Sequence, residues 1–319
     1  MAETRGALLV GIDHYGFPTS LTGCVADAEK FADLLAWHED GTKNFDTYLH
    51  ISTDAKKITR PFLKKKIEEL FNVDGDIALF YFSGHGTENN LGGFLVTQDA
   101  EKWDEGVSLR DVLELANNSK SKETIIILDS CNSGHLGNLP AVNNQAVLRQ
   151  GISILTASRM DQKAYESAGN GVFSSLLMEG LQGGAADILG KVTSASLYSY
   201  AEQALGFLEQ RPLFKSHVAK LIDIRKCSPQ VPLKVLRKLN TYFPEQNADY
   251  QLDPSHERTV EGYDKAKVII FEDLQKCRAT GLVVPVGFDH MYDAAIASGI
   301  CRLTAQGRYY WYLAKSNRL

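Results

Sequence analysis

The chain lacks most of the features that would set it apart from ordinary globular proteins. No apolar run in its 319 residues approaches the ~18–20 needed to span a membrane. The N-terminus, Met1-Ala-Glu-Thr-Arg5, lacks the charged-then-apolar plan of a secretory signal. Cysteine is sparse and scattered. Five thiols at positions 24, 131, 227, 277 and 301, without a CxxC pair, fit neither a disulfide framework nor a zinc site. The expected setting is a reducing cytoplasm, where a thiol stays free and reactive. There is no internal repeat, no low-complexity tract and no large charge of one sign. The net charge is −5; residues 228–319 hold 12 Lys/Arg against 10 Asp/Glu, and residues 1–227 hold 22 against 29. Neither portion has the basic excess of a nucleic-acid-binding body. With 44% apolar and 23% charged residues, wholesale disorder is excluded too.

What is present is an alternation of strands and helices. Four short runs dense in apolar or β-branched residues are Ala7–Ile12, Ile77–Phe82, Thr124–Leu128 and Ile152–Thr156. Their lengths suit strands buried on both faces of a parallel sheet. Thr47–Ile51 and His217–Ile222 read as weaker, alternating strands. Between them Val25, Ala28, Phe31, Ala32 and Leu35 recur at helical spacing, as do Phe62, Leu63, Ile67, Leu70 and Phe71. Ser108 can cap a helix holding Val112, Leu113 and Leu115, and further helices are expected over 172–181 and 194–208. The fold class is α/β: a six-stranded, mostly parallel sheet with helices on both faces, binding ligands at the carboxyl ends of its strands.

Near Ser228–Pro232 this grammar stops. Helices are expected at about 232–243, 259–278 and 289–298. A hairpin of Cys301–Thr304 and Tyr309–Leu313 follows, turning through Ala305-Gln-Gly307. The expectation is two domains, 1–227 and 228–319, the second a small α+β winged-helix-like module.

Two strand ends carry the chemistry. Ile77–Phe82 runs into Ser83-Gly84-His85-Gly86, and Thr124–Leu128 runs into Asp129-Ser130-Cys131-Asn132-Ser133-Gly134. If these strands are neighbours, His85 and Cys131 emerge side by side. An imidazole that takes a thiol's proton makes a minimal nucleophilic pair, and flanking glycines let backbone amides approach a substrate carbonyl. Cys227, Cys277 and Cys301 read instead as small buried hydrophobes. His14, His38, His50, His217, His256 and His290 read as surface or satisfied core residues. His135, four residues past Cys131, is a rival base.

Tyr81-Phe-Ser-Gly-His-Gly86, followed by Leu128-Asp-Ser-Cys-Asn-Ser-Gly134, resembles the catalytic dyad of the caspase-like cysteine peptidases, within them the metacaspase and bacterial caspase-homologue branch. Leu8–Asp13 and Leu21–Ala28 resemble the family's first strand and the start of its first helix. The similarity covers about residues 6–225. It implies Cys131 as nucleophile, His85 as base and leaving-group acid, and the N–H groups of Gly86 and Cys131 as the oxyanion hole. In animal caspases Gln-Ala-Cys precedes the same glycine and arginines bind a P1 aspartate. Here Asp129-Ser-Cys131 stands instead, as in metacaspases. Asp129 and Asp27, with Ser83 at the rim, then form an S1 pocket for Arg or Lys, since carboxylates bind a guanidinium by charge-assisted, often bidentate bonds. The expected partner is a protein or peptide with Arg or Lys at P1. Residues 132–150 match a loop that gates activity in relatives. Arg149 is a candidate self-cleavage site, the alternative being a plain surface arginine. Some metacaspases require calcium, but no loop here has the ligand count of a calcium site, so neither metal nor cofactor is expected.

The tail lies outside the resemblance. Its would-be recognition helix, Asp289–Ile296, has two aspartates and no basic residue, unlike a phosphate-facing helix. Arg302, Arg308, Lys315 and Arg318 make only a modest basic strip. The tail is read as a module that senses a small-molecule signal or partner protein and restrains or recruits the protease, in a bacterial defence or cell-death setting. Nucleic acid is not the expected partner. Rival readings are a DNA-binding regulator using the fold as a scaffold, and a signal-binding adaptor with an inert dyad.

Overall fold

An uninterrupted apolar strand needs cover on both faces, and the computed structural model has that arrangement. It describes residues 3–16, 19–53, 57–90, 92–101, 104–130, 147–157, 166–167, 170–206 and 212–319. The first strand, β1 (Arg5–Gly11), leads to α1 (Cys24–Ala36), β2 (Asp46–Ile51), α2 (Arg60–Phe71) and β3 (Ile77–Ser83). A small antiparallel sheet follows, β4 (Gly86–Asn89), β5 (Gly92–Glu101) and β6 (Asp104–Ser108), and then α3 (Leu109–Asn117), β7 (Glu123–Asp129) and β8 (Ile152–Thr156). Beyond them lie the short ladder β9 (Glu166–Ser167) with β10 (Asn170–Gly171), α4 (Val172–Glu179), β11 (Lys191–Thr193), α5 (Ser194–Leu205), β12 (Leu213–His217) and β13 (Asp223–Lys226). The central sheet has the order β12-β8-β7-β3-β1-β2. Its pairs are parallel except β12 with β8, as expected of the α/β class.

Alternate residues of each strand face opposite layers. Leu9, Leu79, Tyr81, Ile127 and Leu155 pack with Phe31, Leu35, Phe173 and Leu177 of α1 and α4. Leu8, Val10, Phe80, Phe82 and Ile126 pack with Leu63, Ile67 and Val112 of α2 and α3. Side-chain caps start several helices: Ser108 accepts the Asp111 N–H, and Thr193 with Ser196 forms a capping box on α5.

Contacts divide the chain into two compact units, residues 1–186 with 191–228, and residues 187–190 with 229–319. The second comprises α6 (Leu233–Leu236), α7 (Leu239–Tyr242), β14 (Asp249–Gln251), α8 (Lys265–Ala279), β15 (Val283–Val286), α9 (Met291–Ile296), β16 (Ile300–Leu303) and α10 (Ala305–Lys315). Its three strands form an antiparallel sheet of order β14-β16-β15, over a core that includes Leu239, Phe243, Phe271, Leu274 and Trp311.

Three expectations change. The sixth strand is Leu213–His217, not His217–Ile222: Gly151 N–H bonds the His217 carbonyl at 2.6 Å, where the β8 ladder ends, and the alternation over 218–222 joins no strand ladder among the described residues. The sheet β4-β5-β6 was not foreseen. The winged-helix hairpin does not form, because Tyr309–Leu313 lies within α10. Thr304 caps that helix by accepting the Gly307 N–H. Tyr310, Trp311, Leu313 and Ala314 bury one of its faces, so helical spacing outweighs the strand preference of aromatic residues. Among the described residues no helix is long and apolar enough to cross a membrane.

Candidate active site

The parallel register sets Gly11 beside Ser83 and Ser83 beside Asp129, so the C-terminal ends of β1, β3 and β7 lie along one edge. Gly84 N–H donates to the Asp129 carbonyl at 3.3 Å, which carries the β3–β7 contact one step past the strand. His85 follows, half-exposed, and its carbonyl accepts the Val96 N–H at 2.9 Å. Gly86 opens β4 opposite Leu95.

Three residues of the β1–α1 loop organise this edge. Tyr15 OH accepts the backbone N–H of His85 at 2.9 Å, and its ring lies 4.8 Å from the imidazole. The Thr19 carbonyl lies 2.6 Å from His85 Nε2. A carbonyl only accepts, so Nε2 carries a proton and Nδ1 is the nitrogen left to exchange one. Asp13 accepts the N–H groups of Cys24 at 2.8 Å and Val25 at 3.4 Å, fixing the start of α1. That start lies close to β1: a Cβ on Gly11 would sit 2.4 Å from the Cys24 carbonyl oxygen.

Asp27, in the first turn of α1, is 0% exposed, Asp129 is 8% and Ser83 is 2%. Ser83, expected at a rim, is therefore as deep as the acids. Asp129 Oδ2 accepts both the N–H and the hydroxyl of Ser174, at 3.2 and 2.6 Å, and Ser174 Oγ lies 2.6 Å from Tyr81 OH. Burial pushes the Tyr81 hydroxyl well above its usual value, with Asp129 and Asp27 adding to the shift. Burial likewise pushes the Cys24 thiol far up, reinforced by Asp13, Asp129 and Asp27 against a bond from Ser83. Both carboxylates thus bear on the same two groups, and the region is acidic and desolvated.

Cys131 and the rival base His135 lie outside the described residues, as does all of 131–146. The site can be followed to Ser130, which is 3% exposed and whose Oγ has no hydrogen-bond partner among the described residues. Arg149 is no plain surface arginine. Its guanidinium bonds the carbonyls of Ala116, Ser121 and Gln150 and the Thr124 hydroxyl, tying the chain before β8 to the end of α3. No group of three or more His, Cys, Asp or Glu among the described residues is arranged to hold a metal. The sequence reading missed Tyr15, Thr19, Ser174 and Asp13. Thr19 acts through its backbone and Ser174 meets Asp129 across 45 residues, so neither leaves a local signal.

Comparison with known proteins agrees with this architecture. The sequence profile described as the caspase domain matches residues 4–222. Metacaspase-8 of Arabidopsis thaliana is 32% identical over 147 residues, covering 41% of this chain and 38% of that protein. Metacaspase-1 of Plasmodium falciparum (isolate 3D7) is 30% identical over 150 residues, covering 41% and 24%. The chain thus spans less than two fifths of either relative. Among solved structures, caspase-1 from Spodoptera frugiperda superposes with a TM-score of 0.53 at 15% identity, covering 70% of this chain and 91% of that one. A protein from Geobacter sulfurreducens gives 0.52 at 18% identity, covering 70% and 98%.

Proposed function

The chain belongs to the caspase-domain family, and from that premise we propose that it is a cysteine endopeptidase cleaving after Arg or Lys. His85 Nδ1 takes the Cys131 thiol proton, and the thiolate attacks the scissile carbonyl. The N–H groups of Gly86 and Cys131 receive the developing oxyanion. His85 then returns the proton to the leaving amine, and water hydrolyses the acyl-enzyme. The observation that carries the reading is the His85 Nε2 contact to the Thr19 carbonyl, because it fixes the tautomer a base requires at the end of β3. Arg/Lys selectivity rests on Asp27 and Asp129, two buried carboxylates bearing on one region. A cation entering there is favoured, and a P1 carboxylate is repelled.

Domains 1–227 and 228–319 then divide the labour, the second controlling the first in response to a small-molecule signal or partner protein. It lies outside the matched profile and has a core of its own. A cytoplasmic bacterial defence or cell-death pathway is the proposed context, by likeness to bacterial caspase homologues with appended sensor domains. Self-cleavage at Arg149 remains part of the proposal and requires release of its guanidinium from the hydrogen bonds that hold it. The test is peptide hydrolysis by Cys131→Ala and His85→Ala, each expected to lose several orders of magnitude in kcat/KM with an unchanged circular dichroism spectrum. Full activity in a protease-free preparation of Cys131→Ala would sink the proposal.

A further inference from the structure

The sheet has an unpaired flank away from the candidate site. β2 pairs with β1 and with no other strand among the described residues. One bond tells which of its backbone groups face outward. Ser52 N–H donates to the Gly11 carbonyl at 3.0 Å, and strand backbone alternates. The peptide groups of Asp46, Tyr48 and His50 therefore point at β1, and those of Thr47, Leu49 and Ile51 point away. The side chains are unusual for an edge. Tyr48 is 56% exposed and Leu49 38%, on opposite faces, and Val73 nearby is 50% exposed. A cleft of about 500 Å³ opens on the Tyr48 face, lined by Gly6, Leu8, Leu70, Val73 and Tyr48 among others. Long edges with exposed apolar residues are templates for another strand.

We infer that β2 is a self-association edge that takes a second copy of this chain as an antiparallel strand. The occupant follows from the strand's own sequence. An antiparallel copy centred on Tyr48 sets Asp46 opposite the partner's His50, Thr47 opposite the partner's Leu49, and Tyr48 opposite the partner's Tyr48. Thr47 and Leu49 are the outward-facing residues, so this register makes them the hydrogen-bonded pairs. Tyr48 falls on the two-fold axis as a non-hydrogen-bonded pair, with ~4.5 Å between Cα atoms, where aromatic side chains meet. The Asp46 carboxylate, 69% exposed and 3.5 Å from Lys43, meets an imidazole at each end of the ladder. Moving the centre by one residue loses both acid–imidazole pairs. A strand that satisfies its backbone, its aromatic and its charges against its own reverse has the property an isologous interface needs.

The test is light scattering on the full chain over about 1–100 μM. The mass should rise from 35.3 kDa toward twice that value. Leu49→Lys, which places a charge on the edge without touching the candidate site, should hold the mass at the monomer where wild type is dimeric. At the dimeric concentration, oxidised Tyr48→Cys should form a linked dimer beyond the wild-type background, and Ile269→Cys, 54% exposed at the native residue, should not. A wild type that stays monomeric overturns the inference. So does a dimer indifferent to Leu49→Lys, and so does a dimer without the Tyr48→Cys link, either of which assigns association to a different surface.

Discussion

At His85 the proposed chemistry depends on which nitrogen holds the proton, and a backbone carbonyl decides it. Asp129 depends on a residue 45 positions along the chain. Ser174 gives Asp129 Oδ2 two donors, which orients a carboxylate that burial would otherwise disfavour. Neutralising either acid, as in Asp129→Asn or Asp27→Asn, should cost Arg-P1 substrates about 2–4 kcal/mol of transition-state binding, the scale of breaking a desolvated charge pair. Neutral-P1 peptides should lose much less. Matched peptides assayed for kcat/KM measure the difference, and an equal loss for both kinds would detach these acids from S1. The other thiols give a second prediction. Burial pushes Cys277 and Cys301 up to about 12 and Cys24 higher still, so their thiolate fraction at neutral pH is minute. Brief alkylation of the folded protein at about pH 7.5, followed by peptide mapping, should leave these three unlabelled and modify Cys131.

At the scale of elements, the β1–α1 loop is the organiser, since Asp13 holds the helix that carries Asp27 while Tyr15 and Thr19 hold the base. Asp13→Ala should lower stability by about 1 kcal/mol, the usual cost of a lost helix cap, and should also reduce turnover of Arg substrates. Thermal unfolding and kcat/KM on the same preparation check both; normal turnover at reduced stability would confine Asp13 to a structural role. What the sequence disclosed follows the same physics. β1, β3, β7 and β8 were legible because cover on both faces makes them continuous apolar runs, and their chemistry-bearing ends, Ser83–His85 and Asp129, came with them. β12 was misread because an edge strand such as Leu213–His217 needs no strong pattern. β4–β6 were missed because Gly92, Gly93 and Gly106 dilute their signal. Tyr309-Tyr-Trp-Tyr-Leu313 looked like a strand by composition, and only the Thr304 cap and the tertiary burial of Tyr310 and Trp311 make it a helix.

At the scale of the molecule, two separate cores imply separable roles. Deleting residues 228–319 should change control of the protease, freeing a basal rate or removing a response, and leave the P1 preference as it was, because Asp27, Ser83 and Asp129 all belong to the first unit. P1 profiling of the truncated and full chains checks this; a switched preference would make the tail part of the substrate cleft. The proposed chemistry joins three parts: a Cys131 nucleophile, a His85 base and an acidic S1. Mass mapping of the adduct formed with a matched pair of peptide acyloxymethyl ketones, one with P1 Arg and one with P1 Asp, tests them together. The expected result is a single adduct on Cys131 from the Arg reagent, abolished in His85→Ala, and none from the Asp reagent. Labelling of a different cysteine, or equal labelling by both reagents, would contradict it.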